Sequence, residues 1–241
     1  MSVTTEKTVG ELALENPAAT RVFEKLGIDY CCGGARTLEE ACRAAHLSID
    51  EVAGSLVAAA QAASATAPER NWQVEPLAEL IAHIERTHHV YTCQEIARLG
   101  PLFEKVCSVH GKNHPELFRL RGIFDALAGE LTTHLMKEER VLFPYIVRME
   151  ESVVAGEPVL PPPFGSVRNP VAMMMNEHDG AGSALRDMRQ LSGGYAPPSD
   201  ACISYQTLYQ ALAGLEADLH RHIHLENNIL FPRAIEMEQA R

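Results

Sequence analysis

The sequence predicts an all-α protein, in which a small N-terminal helical domain precedes an up-down-up-down four-helix bundle. Three observations predict this fold class. No stretch shows sustained strand alternation, four long segments show helical periodicity, and connections rich in proline or glycine separate them. The chain has 241 residues and is 46% hydrophobic, so it can bury a sizeable core. No apolar run approaches the ~18 residues that a membrane-spanning helix needs.

The N-terminal part, residues 1–62, predicts a helical domain built from short elements. Four segments show helical periodicity, at about 8–14, 17–26, 37–45 and 48–62. The last two begin with capping boxes, one from Thr37 to Glu40 and one from Ser48 to Glu51.

Two adjacent cysteines lie between the second and third of these segments. Cys31 and Cys32 precede Gly33 and Gly34, which allow a sharp turn towards a helix start, where a thiolate is favoured. The functional interpretation is a transient thiol site for iron, nitric oxide or a partner. The alternative is two small apolar residues at a turn. The six cysteines do not form a disulfide-dense pattern, so we expect a reduced, cytoplasmic protein.

Residues 63–75 are small and polar and include a proline, which predicts a linker. Residues 76–241 then form the predicted bundle, with long helices at about 76–99, 115–149, 170–191 and 200–238. Pro144 and Pro232 fall inside the second and fourth helices. Each is expected to kink or end its helix, because proline lacks the amide hydrogen and clashes with the preceding turn.

One motif occurs twice in the bundle, 88 residues apart. His134 and Glu138 are followed by Phe-Pro, and His222 and Glu226 are followed by Phe-Pro at the same distance. Residues i and i+4 share a helix face, and leucines three and seven residues before each histidine place the pair within the apolar stripe. A buried glutamate is costly unless it is paired or coordinates a metal. Two surface His–Glu pairs are the alternative, but the repetition favours a metal site.

The duplication predicts matching histidines on the first and third helices. His178 lies 44 residues before His222, and His89 lies 45 before His134. The spacing favours His89 over His88, although helical phase would place His88 inward too. The predicted ligand set has four histidines and two carboxylates: His89, His134, Glu138, His178, His222 and Glu226.

Six such ligands are too many for one ion and fit two. Each half of the duplication would give one ion two histidines, and the glutamates could bridge the ions. Nitrogen and oxygen ligands without thiolates suit redox-active iron, although manganese or zinc would also fit. Glu130 and Glu177 are candidates for carboxylates that orient ligands or pass iron and protons. His220 and His224 lie on the side opposite to His222 and are interpreted as surface or outer residues.

Taken together, these motifs resemble the repair-of-iron-centres (RIC) family, the YtfE-, ScdA-, DnrN- and NorA-like di-iron proteins. The resemblance covers nearly the whole chain: Leu-Gly-Ile-Asp-Tyr-Cys-Cys-Gly-Gly in the N-terminal domain, and His-Leu-Met-Lys-Glu-Glu, Asn-Glu-His-Asp and Leu-Glu-Asn-Asn-Ile-Leu-Phe-Pro in the bundle. It implies a hemerythrin-like bundle. At the six positions given above it implies two non-haem iron ions with oxo and carboxylate bridges, and it selects His89 on the first helix.

The resemblance also implies a function. Family members are associated with repair of iron–sulfur clusters damaged by nitrosative or oxidative stress, through iron donation or reaction with nitric oxide, with nitric oxide reductase-like activity as one form of that reaction. The expected partners are damaged iron–sulfur proteins and nitric oxide, and a homodimer is one expected state. A nitric oxide or oxygen trap or sensor without turnover is the alternative function, and a purely structural helical protein is a third. The net charge of −11 argues against nucleic-acid or anionic-membrane binding.

Overall fold

A computed structural model describes residues 6–63 and 70–239 of the chain. Every named element within these ranges is a helix, and the one strand-like contact found there is an isolated antiparallel bridge between Thr8 and Thr37. The prediction of an all-α protein is therefore confirmed. Among the described helices, none combines the length and the apolar character needed to cross a bilayer.

The N-terminal part consists of four short helices: α1 (Val9–Glu15), α2 (Ala18–Leu26), α3 (Leu38–Ala44) and α4 (Ile49–Ala63). The predicted capping box of α3 is present, since the Thr37 hydroxyl accepts from the Glu40 amide and the Glu40 carboxylate accepts from the Thr37 amide. Phe23, Leu38 and Val52 are fully or almost fully buried in a core that belongs to these helices alone. The predicted linker, 63–75, lies partly outside the described residues.

The second part consists of four long rods. We define them by their helices: rod 1 is α5 (Leu77–Ile84) and α6 (Val90–His110), rod 2 is α7 (Glu116–Lys137) and α8 (Phe143–Ala155), rod 3 is α9 (Arg168–Leu191), and rod 4 is α10 (Ile203–Leu225) and α11 (Phe231–Gln239).

A single π-helical turn joins the two helices of rods 1, 2 and 4, at Glu85–His89, Glu138–Leu142 and Glu226–Leu230. In rod 2 the Phe143 amide donates to the Glu138 carbonyl, five residues back. Of the two predicted effects of Pro144 and Pro232, a kink or an end to the helix, the structure shows no end: helix continues through and beyond each proline. Each proline lies in the first turn of the α-helix that follows a π turn. The rod continues past it, although proline lacks the amide hydrogen that an α-helical hydrogen bond needs.

Rod 1 extends beyond its predicted end at about residue 99, to His110. Gly100 and Pro101 lie inside α6 rather than after it. Pro101 is exposed, so the carbonyl that loses its amide partner can be solvated. The proline is tolerated because it lies on the outer side of the bundle.

The four rods pack in up-down-up-down order. α5 packs on α8 and α6 on α7, so rods 1 and 2 are antiparallel. α6 also packs on α10, α7 on α9, and α9 on α10, which closes the bundle. Two apolar clusters fill it, one around Phe103, Phe124 and Leu212 and the other around Ile84, Ile146 and Phe231. The candidate metal ligands lie between these two clusters.

The N-terminal helices dock on rod 4. Tyr30 is fully buried, and its ring meets the His224 ring edge-on at a centroid distance of 5.3 Å. The Asn228 side chain donates to the Tyr30 carbonyl at 3.4 Å. Gly34 permits this approach, because a Cβ atom there would lie 2.9 Å from Asn228 Oδ1. The loop that carries Cys31 and Cys32 is thereby held against the bundle.

Candidate metal centre

The six predicted ligands converge at one level of the bundle, and each is at most 3% exposed. His134, His178 and His222 lie on α7, α9 and α10, while His89 ends the first π turn. The two glutamates begin the other π turns. Each π turn widens its helix locally, which is a common feature of functional sites.

The side chains form two sets that share both glutamates. One set is His89, Glu138, His222 and Glu226, and the other is His134, Glu138, His178 and Glu226; in each set the ligand atoms lie within 4.8 Å of one another. The Nε2 atoms of His89 and His222 are 3.2 Å apart, and those of His134 and His178 are 3.1 Å apart.

The pairing of histidines corrects one prediction. We expected each half of the duplication to give one ion two histidines, which would pair His89 with His134. The structure instead pairs His89 with His222 and His134 with His178, across the halves. The packing permits this pairing, because rod 1 also lies against rod 4 and rod 2 also lies against rod 3.

The residues present fit metal ions. Both carboxylate oxygens of Glu138 and one of Glu226 are buried and have no hydrogen-bond partner among the described residues. Imidazole nitrogens face one another at about hydrogen-bond distance, although two neutral nitrogen lone pairs repel. Buried carboxylates and converging lone pairs of this kind are stabilised by cations.

Hydrogen bonds to the outer ring nitrogens orient three of the four histidines. His89 Nδ1 lies 2.9 Å from Glu139 Oε1, His134 Nδ1 lies 2.8 Å from Glu177 Oε2, and His178 Nδ1 lies 2.8 Å from Asn227 Oδ1. An Nδ1–H donor to these oxygens leaves the Nε2 lone pair free for a metal.

Glu177 and Glu130, the two predicted outer carboxylates, differ in their contacts. Glu177 accepts from His134 and also forms an ion pair with Lys137. Burial would raise the pKa of Glu177, but Lys137 and His134 together lower it below its usual value. Glu130 is exposed and lines a cleft of about 490 Å³ that reaches His134 and His178 between α7 and α9. This cleft brings the surface of the bundle close to one side of the centre.

Sequence reasoning missed two of the supporting residues, Glu139 and Asn227. Each directly follows a predicted ligand glutamate, so their equivalent places in the duplicated motif were an available signal. His88, the alternative to His89, is buried as well, but its Nδ1 lies 3.0 Å from Asp218 Oδ1 and outside both ligand sets.

The charges of the site favour cation binding. Burial alone would lower the pKa of His134, but the carboxylates of Glu138, Glu226 and Glu177 raise it to about 9. Burial alone would raise the pKa of Glu226, but His222 and His178 hold it well below its usual value. Both pKa shifts reflect the attraction between the buried carboxylates and a positive charge, which favours a cation at this position.

The Cys31–Cys32 loop lies beside the centre. Cys32 Sγ donates to the His178 carbonyl oxygen at 3.4 Å, and the two Sγ atoms are 4.0 Å apart, so both thiols are free. The expectation of a favoured thiolate was wrong for Cys31. Its hydrogen bond to Cys32 and its burial raise its pKa well above the usual value. Asp29 contributes to the raised pKa of Cys31. Its carboxylate accepts hydrogen bonds from the Cys31 and Cys32 amides and also from the Cys31 thiol.

His220 and His224 were expected to be surface or outer residues, and His224 is not at the surface. Its side chain is buried beneath Tyr30, and the Asn228 amide nitrogen lies 2.9 Å from its Nδ1. Burial lowers the pKa of His224 to about 4, so the ring is neutral. His220 lies at the edge of the same contact, with its ring centroid 6.4 Å from that of Tyr30. The face opposite His222 is the docking face of the N-terminal helices.

Comparisons with known proteins give matches over both parts of the chain. Residues 80–234 match the hemerythrin HHE cation binding domain, and residues 5–60 match ScdA_N, a domain of unknown function (DUF542). The chain is 37% identical over 233 residues to the iron-sulfur cluster repair protein YtfE of Pectobacterium carotovorum subsp. carotovorum (strain PC1), covering 97% of this chain and 98% of the relative. It is 38% identical over 234 residues to the protein of that name from Cronobacter sakazakii (strain ATCC BAA-894), with the same coverage.

Proposed function

The chain belongs to the hemerythrin HHE cation binding family and, within it, to the iron–sulfur cluster repair proteins that its motifs resemble; on this premise we propose that it repairs iron–sulfur clusters damaged by nitrosative or oxidative stress. We further propose that two non-haem iron ions are its resident metals. The observation that carries the proposal is the pair of ligand sets that share Glu138 and Glu226 within the bundle interior.

The residues of this chain would have distinct roles. Glu138 and Glu226 would bridge the two metal positions, since each belongs to both ligand sets. The histidines would complete the positions through Nε2. Iron bound there supplies redox chemistry and open coordination positions. Polar contacts of the outer ring nitrogens would keep three of the four imidazoles, those of His89, His134 and His178, in the tautomer that binds metal.

Two features near His178 would connect the centre with its surroundings. The cleft between α7 and α9 would admit nitric oxide or pass iron, with Glu130 and Glu177 on its walls. Cys32 lies against the His178 backbone, which supports a role in which the accessory thiols Cys31 and Cys32 would receive iron on its way to a damaged cluster. Damaged iron–sulfur proteins would be the clients, and the cytoplasm would be the compartment.

Repair of a damaged enzyme tests the proposal. Purified, iron-loaded protein is mixed without oxygen with an iron–sulfur enzyme that nitric oxide has inactivated, and the returning enzyme activity is followed. His222→Ala is expected to abolish repair, because it removes a ligand, and a Cys31→Ala/Cys32→Ala variant is expected to slow it. His110→Ala, at the far end of α6, is the control and should behave as wild type.

The same mixture separates repair from trapping. The proposal requires that activity return faster than with an equal amount of free ferrous iron. Consumption of nitric oxide with no returning activity would contradict repair and favour the nitric oxide trap. Loss of repair in His110→Ala as well as in His222→Ala would contradict the assignment to this centre.

A further inference from the structure

The two halves of the bundle supply equivalent residues to the centre. His134 and Glu138 in rod 2 correspond to His222 and Glu226 in rod 4, 88 residues later. His89 in rod 1 likewise corresponds to His178 in rod 3. Outer contacts can be compared position by position across this duplication.

One pair of equivalent outer residues keeps the symmetry. Glu139 follows Glu138 and contacts His89 Nδ1 at 2.9 Å, while Asn227 follows Glu226 and contacts His178 Nδ1 at 2.8 Å. Both side chains offer an oxygen to the outer nitrogen of a histidine on the neighbouring rod. The duplication therefore supports these two histidines alike.

The other pair of equivalent outer residues breaks the symmetry. Glu177, directly before His178, accepts from His134 Nδ1 at 2.8 Å. The equivalent residue directly before His89 is His88, and it offers no such oxygen. Its Nδ1 contacts Asp218, and its ring stacks on the His222 ring at a centroid distance of 5.7 Å and an interplanar angle of 6°.

His222 therefore lacks the polar contact at Nδ1 that its equivalent, His134, makes with Glu177. Its side chain is 1% exposed, and its Nδ1 has no hydrogen-bond partner among the residues that the structure describes. The contact between His134 and Glu177 is itself reinforced, because Lys137 forms an ion pair with Glu177. Stacking on His88 orients the His222 ring, but it does not raise the basicity of Nε2 as a hydrogen bond from Nδ1–H does.

From this asymmetry we infer that the two metal positions are unequal: the ion held by His89 and His222 exchanges readily, and the ion held by His134 and His178 is retained. The inference rests on the two-ion centre proposed above. Loss of an outer contact to a ligand typically costs ~10–100-fold in metal affinity. We therefore expect the release rates to differ by about tenfold or more.

Iron release from the purified protein tests this without any enzyme assay. The full chain is loaded with Fe(II) without oxygen and mixed with an excess of a coloured ferrous chelator. Two phases of equal amplitude are expected. His222→Ala should retain one ion that leaves in the slow phase, whereas His178→Ala should lose the slow phase. A single rate for both ions, or loss of the slow phase in His222→Ala, would overturn the inference.

Two matched substitutions exchange the outer contacts. His88→Gln replaces the stacked ring with an amide that can offer an oxygen to His222 Nδ1, and it should slow the fast phase. Glu177→Ala removes the oxygen that His134 Nδ1 contacts, and it should speed the slow phase. Circular dichroism of each loaded variant verifies its fold. If Glu177→Ala leaves the slow phase unchanged, or speeds both phases equally, the outer contacts do not set the difference and the inference fails.

The initial iron content separates this inference from the proposed function. Two ions released at one rate contradict the inference and leave the two-ion centre intact. One ion per chain contradicts the two-ion centre. In that case the inference requires binding to survive His222→Ala and to be lost in His178→Ala, and the reverse result overturns it.

Discussion

Tyr30→Ala should loosen the N-terminal helices from the bundle and destabilise the protein. Tyr30 is fully buried, and its ring packs on Phe23 at 5.9 Å and on His224 at 5.3 Å. Its hydroxyl donates to Glu24 at 3.0 Å. The substitution thus removes contacts within the N-terminal core and contacts to rod 4 at the same time.

The expected magnitude follows from these contacts. Replacing a large buried aromatic side chain with alanine costs about 3–5 kcal/mol. Tyr30→Phe keeps the ring and loses one hydrogen bond, which is worth about 0.5–1.5 kcal/mol. For a chain of this size, about 2–4 °C of melting temperature accompanies each kcal/mol. Tyr30→Ala should therefore melt about 6–20 °C lower than wild type, and Tyr30→Phe about 1–6 °C lower.

Thermal unfolding followed by circular dichroism measures the shift, and alkylation of Cys32 measures the docking. The Cys32 thiol contacts the His178 carbonyl in the docked state, so its alkylation should accelerate in Tyr30→Ala and change little in Tyr30→Phe. Equal melting temperatures for the two variants, or an unchanged alkylation rate in Tyr30→Ala, would refute the reasoning.

Three further predictions concern the metal and two histidine contacts. Removing metal should lower the melting temperature, because ions bound only by the folded state contribute about 2.7 kcal/mol each at 100 times their Kd, or about 5–11 °C. Cys202 should be alkylated rapidly at pH 7, because the Tyr205 amide and the His110 ring lower its pKa, and His110→Ala should slow it. The pKa of His114 in a magnetic resonance titration should exceed 6.5, because Asp200 raises it, and Asp200→Asn should return it towards that value. The stabilisation from this pair is present below pH 6.5 and lost as pH rises through the folded-state pKa.

Each of these three predictions has a control. Identical melting curves with and without metal would contradict a metal bound in the native state. Cys93 is also exposed and lies within α6, so it is the internal reference and should be alkylated more slowly than Cys202. Equal alkylation rates for the two thiols would contradict the role of His110. For His114, an Asp200→Asn variant with an unchanged titration would show that the contact does not form in solution.

Features repeated within the sequence could be predicted from it, because the duplication provided an internal control. The spacing of His134 to Glu138 and of His222 to Glu226 is local, and it fixes a shared helix face without knowledge of the fold. His89 and His178 followed from the same repeat. The four-helix architecture followed from periodicity and from the interrupting prolines and glycines.

What the sequence did not predict depends on contacts between distant residues. The pairing of His89 with His222 joins rods that are far apart in the chain, and only the packing order decides it. The burial of His224 depends on docking of the N-terminal helices, which no local pattern indicates. Pro101 is tolerated for a similar reason, since its exposure on the outer face is a property of the assembled bundle.

The π turns have an evolutionary consequence. Each contains one residue more than the α-helical turn it replaces, so a single-codon insertion into a continuous helix can create it. Such an insertion is absorbed locally, and the helix faces on either side keep their original direction. Glu138 and Glu226 each stand at the first residue of such a turn. The extra residue therefore changes the direction of a ligand glutamate while the remainder of each rod keeps its packing.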